Sequence, residues 1–179
     1  SREAYFALAK EARLQHMIFA GHVPVSVSVL EASDAGQKSL EHMHGMQEAC
    51  SSTEEDLRKE QVQILKQQIE AGDKPHIYPV YINQAKKAFE TFNPAKCNAL
   101  YARLIRNRTW IVPTLVDKEL MSQQANDPSS ILTDPSYKYL PASVRNSSQA
   151  KKNDADAEAK LLLITRFISM VGEMQRAGV

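Results

Sequence analysis

Met17-Ile18-Phe19-Ala20-Gly21-His22-Val23-Pro24 is an apolar run that ends in a glycine, an imidazole and a proline. An unbroken apolar run of this length suits a strand buried on both faces, and Pro24 cannot continue a central hydrogen-bonded ladder. A second strand-like segment, Lys38-Ser39-Leu40-Glu41-His42, also ends in histidine, and the interval between the two holds one helix, Val27 to Ala35, closed by Gly36. Strand, helix, strand, with chemistry-bearing residues at the carboxyl ends of consecutive strands, is the arrangement in which α/β barrels build their sites. The expected fold class is therefore α/β, a partial TIM-like (β/α) barrel with helical and loop insertions. It is partial because a chain of 179 residues is shorter than the roughly 250 of a complete barrel.

Further elements follow from periodicity. Tyr5, Leu8, Ala9 and Ala12 form the apolar stripe of a helix over Arg2 to Gln15,. Ser51 to Ala71 opens with an acidic first turn and reads as a helix, as do Ile77 to Phe92 and Pro94 to Arg106,. Residues 46–98 are thus a mainly helical insertion. Trp110-Ile111-Val112-Pro113-Thr114-Leu115 is a third strand with a proline near its end,. Between Ser122 and Asp156 the composition turns to Ser, Asn, Asp, Gln and Pro, so 122–156 is expected to be a loop insertion, either a lid or binding segment or an insertion without a role,. Asp154 to Ala177 closes the chain as a helix with Leu161, Ile164, Ile168 and Val171 on one face.

Composition narrows the function classes. Lys and Arg number 22 against 21 Asp and Glu, and a net charge of +1 gives no field to attract a polyanion, so no nucleic-acid partner is expected. No apolar stretch approaches the roughly 18 residues of a membrane span. Cys50 and Cys97 form neither a C-x-x-C pair nor a disulfide framework and read as two thiols, which leaves the compartment undetermined.

Phe-Ala-Gly-His22-Val-Pro followed by Glu31-Ala-Ser-Asp-Ala-Gly-Gln-Lys-Ser-Leu-Glu-His42 resembles the metal-dependent amidohydrolases of the imidazolonepropionase-like group. Trp110 to Leu115 is similar to the seventh barrel strand of that group, Tyr137 to Pro141 to part of the insertion after it, and Met174 to Val179 to the approach to the eighth. The resemblance implies that residues 1–179 cover roughly the fifth to seventh strands. It implies that His22 and His42 are metal ligands from the fifth and sixth strands. The first-strand H-x-H pair, the fourth-strand lysine and the eighth-strand aspartate of the family would lie outside the chain, so no catalytic residue is assigned within it.

What the resemblance implies for function is hydrolysis of a carbon–nitrogen bond, in an amide or cyclic amide, by water activated on a divalent metal. The metal would be zinc, one or two ions in the intact parent, and this chain alone could lack it because a site needs three or four ligands. The alternatives are a dipeptidase-type parent and a non-catalytic scaffold or interaction fragment. Expected partners are a small amide substrate and either a second copy of the chain or complementing barrel segments, since a partial sheet leaves strand edges unpaired.

The remaining histidines have blander readings. From the residues alone His22 and His42 are open to two, a ligand or a satisfied core side chain. His42-Met43-His44 is itself an H-x-H, but its flanks match the sixth strand, so His44 is expected in the loop at the site mouth, touching substrate or without a role. A small site of His42, His44 and Cys50 has no standard zinc spacing and is set aside. His16 suits a helix end, and His76, beside Pro75, the surface.

Overall fold

The computed structural model describes the chain apart from residues 75–76, 117–118, 121–122, 124–126, 128, 144 and 146–156, and apart from the side chains of 77–79, 130–131 and 157–160. It divides into two compact units, Ser1–Pro113 with Ser169–Val179, and Thr114–Ile168.

In the first unit the helices are α1 (Arg2–Leu14), α2 (Val29–Asp34), α3 (Met46–Ala49), α4 (Glu54–Glu70), α5 (Ile77–Glu90) and α6 (Pro94–Asn107), and the strands β1 (Ala20–Gly21), β2 (Ser39–Glu41) and β3 (Trp110–Val112). The strands pair in parallel in the order β1-β2-β3, with Ala20 opposite Ser39 and Leu40 opposite Ile111. In the second unit the described elements are a helical turn, α7 (Ser130–Thr133), and a 3-10 turn, Tyr137–Tyr139. The closing helix α8 (Ala157–Ala177) contributes to both.

The expected barrel is not what forms. Helices dominate, and the sheet has three strands of two or three residues with an edge on each side among the described residues. A barrel closes its sheet and has no edges. The apolar runs are longer than the strands they yield, for a local reason. α1 ends in a Schellman motif with His16 left-handed at φ 53°, where His16 N–H donates to Arg13 O and Met17 N–H to Ala12 O,. Met17 and Ile18 emerge from that turn 67 % and 79 % exposed, outside the sheet. α6 ends the same way at Arg108 (φ 54°), delivering Trp110 to β3.

Sequence accounts for the other helix starts. Ser28 caps α2 through a capping box: its Oγ accepts from Glu31 N–H at 3.1 Å while Glu31 Oε2 accepts from Ser28 N–H at 2.9 Å,. Asn93 caps α6 by accepting from Lys96 N–H, with Pro94 in the first turn,. Arg2 on α1 donates to the same Glu31 from its two terminal guanidinium nitrogens, at 2.9 and 2.5 Å.

The core of the first unit gathers Ala32, Leu40, Met43, Met46, Ile82, Tyr101 and Leu104, all nearly inaccessible. Cys50 at the end of α3 is joined to Cys97 on α6 in a disulfide, with Cα atoms 4.4 Å apart. This corrects the reading as two thiols: a separation of 47 residues gives no motif, and the packing of α3 on α6 makes the pair. About half of the expected loop over 122–156 falls outside the described residues, as does His76; the described part holds α7 and the 3-10 turn. Among the described residues no helix is long and apolar enough to cross a membrane.

Candidate functional site

Parallel pairing puts the carboxyl ends of β1 and β2 side by side, and the residue that follows each strand is a histidine. The rings of His22 and His42 lie 4.8 Å apart, centroid to centroid, at an interplanar angle of 36°. His44 completes a triangle, 5.8 Å from His22 and 5.7 Å from His42. All three histidines singled out from the sequence are thus brought to one place, with His22 exposed and the other two half-buried.

The backbone there is constrained. His42 and Met43 both take left-handed conformations, φ 62° and 61°. For a residue with a Cβ this conformation costs about 1–2 kcal/mol, and such residues persist where surrounding structure over-determines them. His42 N–H donates to Val112 O at 2.9 Å, and Met43 is 1 % exposed. Burial of Met43 and the sheet bond of His42 together hold the turn that aims the imidazole. Gly45 continues it at φ 81°, and a Cβ there would stand 3.2 Å from Val29 Cγ2, so both conformation and space require glycine,.

Behind His44 lies a second tier. The Tyr81 ring is 5.2 Å from the His44 ring, and its hydroxyl accepts from Gln47 Nε2 at 2.9 Å. Glu48, one residue on, is 4 % exposed; its Oε1 accepts from Gln61 Nε2 at 3.0 Å, while Oε2 has no hydrogen-bond partner among the described residues. Burial pushes the Glu48 carboxyl above its ordinary range,. Both sit on or beside a cavity of about 90 Å³ that His44 also lines.

Gln37 holds the strand ends in place. Its Nε2 donates to the carbonyls of Gly21 and Ser39, at 2.6 and 2.9 Å, and its Oε1 accepts from the Tyr5 hydroxyl at 2.5 Å. Glu41 is not part of the histidine cluster; its carboxylate accepts from Ser39 Oγ at 2.6 Å.

Gln37, Gln47, Glu48 and Tyr81 had not been read from the sequence. A buried glutamine carries no motif, and α3 is too short to show a period. The spacing of Met43, Met46 and Cys50 was the available sign that 46–50 turns inward,.

Two imidazoles bound at about 2.0–2.1 Å to one tetrahedral ion hold their ring centres about 5.2 Å apart, and those of His22 and His42 are 4.8 Å apart. No group of three or more His, Cys, Asp or Glu side chains is placed to hold a metal ion among the described residues. The chain matches no family model, and neither the curated proteins nor the solved structures give a match.

Proposed function

We propose that this chain carries part of the metal site of a hydrolase that cleaves carbon–nitrogen bonds in amides or cyclic amides. The observation that supports the reading is the meeting of His22 and His42 at the ends of neighbouring parallel strands, 4.8 Å apart, the second held on a left-handed backbone. A bound divalent ion, zinc by preference for imidazole donors, supplies a polarised carbonyl and an activated water. The chain's own residues orient the two donors: Gln37 fixes Gly21 beside His22, and the β2–β3 bond fixes His42. His44 stands at the mouth, where it meets the substrate.

The same reading gives the chain a small amide as substrate, and self-association or complementing segments as its assembly. Support for the latter comes from the edges at β1 and β3 and from Trp110, 70 % exposed on β3,. Sedimentation tests it, and a monodisperse monomer would count against it.

The deciding experiment is titration of the protein with zinc, read by the imidazole signals in NMR. The signals of His22 and His42 shift together at stoichiometric metal, and His22→Ala or His42→Ala weakens binding at least about tenfold. Hydrolysis of a panel of amides by the zinc-loaded protein follows. Metal-independent imidazole signals would reject the reading.

A further inference from the structure

We infer that the Cys50–Cys97 bond is a redox-sensitive device that sets the histidine triangle: His22, His42 and His44 come together in the oxidised chain and part when a dithiol reduces it. Neither a metal ion nor hydrolysis is needed for it.

The bond joins the two parts of the chain between which His42 is held. Cys50 ends α3, the element that follows the His42–Met43 turn, and Cys97 lies near the start of α6. α6 leads into β3, whose Val112 O accepts from His42 N–H. His42 is thus tied to α6 from two sides, by the sheet through β3 and by the disulfide through α3.

The segment between His42 and Cys50 has little of its own to hold its shape. His42 and Met43 are both left-handed, Gly45 gives α3 no side-chain cap, and α3 is a single turn of four residues. Left-handed residues with a Cβ keep that conformation only where their surroundings impose it. Here the surroundings are core: α3 packs on α6, and Met43, Met46, Cys50, Cys97, Leu100, Tyr101 and Leu104 are all 5 % exposed or less.

Reduction acts on that packing. A dithiol gives up two electrons and two protons: its own sulfurs join, the bond between Cys50 and Cys97 breaks, and each cysteine keeps one thiol. Two thiols must stand at non-bonded distance where one bonded pair stood, and a close-packed core takes added volume only by moving. The element that yields is α3, since α6 has fourteen residues and an Asn93 cap. Beyond Cys50 the chain is pinned, by Asn93 N–H on Cys50 O and by Lys96 Nζ on Ser51 O. The displacement is therefore passed back towards Met46 and Met43, which releases the left-handed turn and takes His42 and His44 away from His22. Both sulfurs are buried, so exchange waits on local opening of α3 and is slow,.

The test is NMR of the metal-free wild type in three states: as purified, in dithiothreitol, and returned to oxidised glutathione, which takes back the electron pair as two glutathione thiols are released. The oxidised protein shows nuclear Overhauser contacts from His22 to His42 and from His42 to His44, as their ring separations of 4.8 and 5.7 Å require. Dithiothreitol abolishes both while the amide signals of β2, β3 and α6 stay dispersed, and oxidised glutathione restores them. The Cys50→Ala, Cys97→Ala variant gives one spectrum with and without dithiothreitol. Contacts that persist once mass spectrometry of the alkylated protein shows two free thiols overturn the inference. Loss of the contacts together with the β2, β3 and α6 signals also overturns it, because the bond then supports the whole fold rather than the site. So does a response of the double variant to dithiothreitol.

Discussion

The side-chain amide of Gln37 donates to the carbonyl of Gly21 at 2.6 Å, one residue before the exposed His22. A two-residue strand has little hold on its own end, so this bond and its companion to Ser39 O fix where His22 begins. Gln37→Leu removes both and strips the Tyr5 hydroxyl of its acceptor. The expected loss is about 2 kcal/mol, from unpaired buried groups, read as a lower urea midpoint. The His22 and His42 signals should also lose their mutual nuclear Overhauser contacts, and an unchanged midpoint with intact contacts would show that the clamp is idle.

Opening the Cys50–Cys97 bond removes a constraint on a long loop of unfolded chain. Reduction, or the Cys50→Ala, Cys97→Ala double variant, is expected to lower stability by about 2–4 kcal/mol. Alkylation followed by mass spectrometry checks the bond itself: denaturant alone exposes no thiol, and denaturant with reductant exposes two.

Acid should loosen the α1–α2 junction. The Arg2 guanidinium, with help from the Ser28 backbone, holds the Glu31 carboxyl down at about 2, from an ordinary 4.5. A depressed carboxylate contributes stability above its unfolded value and loses it as pH falls, here between about 4.5 and about 2. Both side chains are more than a third exposed, so after allowance for solvent screening the contribution is about 1 kcal/mol. Arg2→Met should flatten that part of the stability profile; an unaltered acid limb would remove the pair from the account.

Glu48 has the opposite sign. With its folded pKa raised by burial above 4.5, the native state holds the proton more tightly than the unfolded chain. Its contribution is complete below 4.5 and is lost as pH rises through the folded value. Wild type should therefore lose stability relative to Glu48→Gln as pH rises above 4.5,. Parallel profiles for the two proteins would mean that Glu48 is solvated.

The helices were legible because their signals are local. The stripe at Tyr5, Leu8, Ala9 and Ala12 gives α1, and Asn93-Pro94 marks the start of α6 to the residue. The strands were over-read: Met17 and Ile18 look like buried strand, but the left-handed turn at His16 spends them on leaving the helix. The partial barrel was expected from the strand-helix-strand rhythm that ends at His22 and His42; that rhythm carries the parallel pairing of β1 with β2, but a local pattern does not fix how many strands the sheet has. At the site, His22 and His42 were found because each ends an apolar run. Gln37 and Glu48 were not, because what marks them is the neighbour they face across the fold, Gly21 in one case and Gln61 in the other.

The disulfide also makes a ring of chain. From Cys50 to Cys97 the backbone is covalently closed, and α4 and α5, with Leu65 and Val80 of the cavity wall, lie inside that ring. A protease that cuts the exposed 71–74 turn between them yields two polypeptides that still migrate as one species without reductant. Each half of the wall then remains anchored through its own cysteine, Cys50 before α4 and Cys97 after α5. Cleavage and reduction are both required before either half can diffuse away.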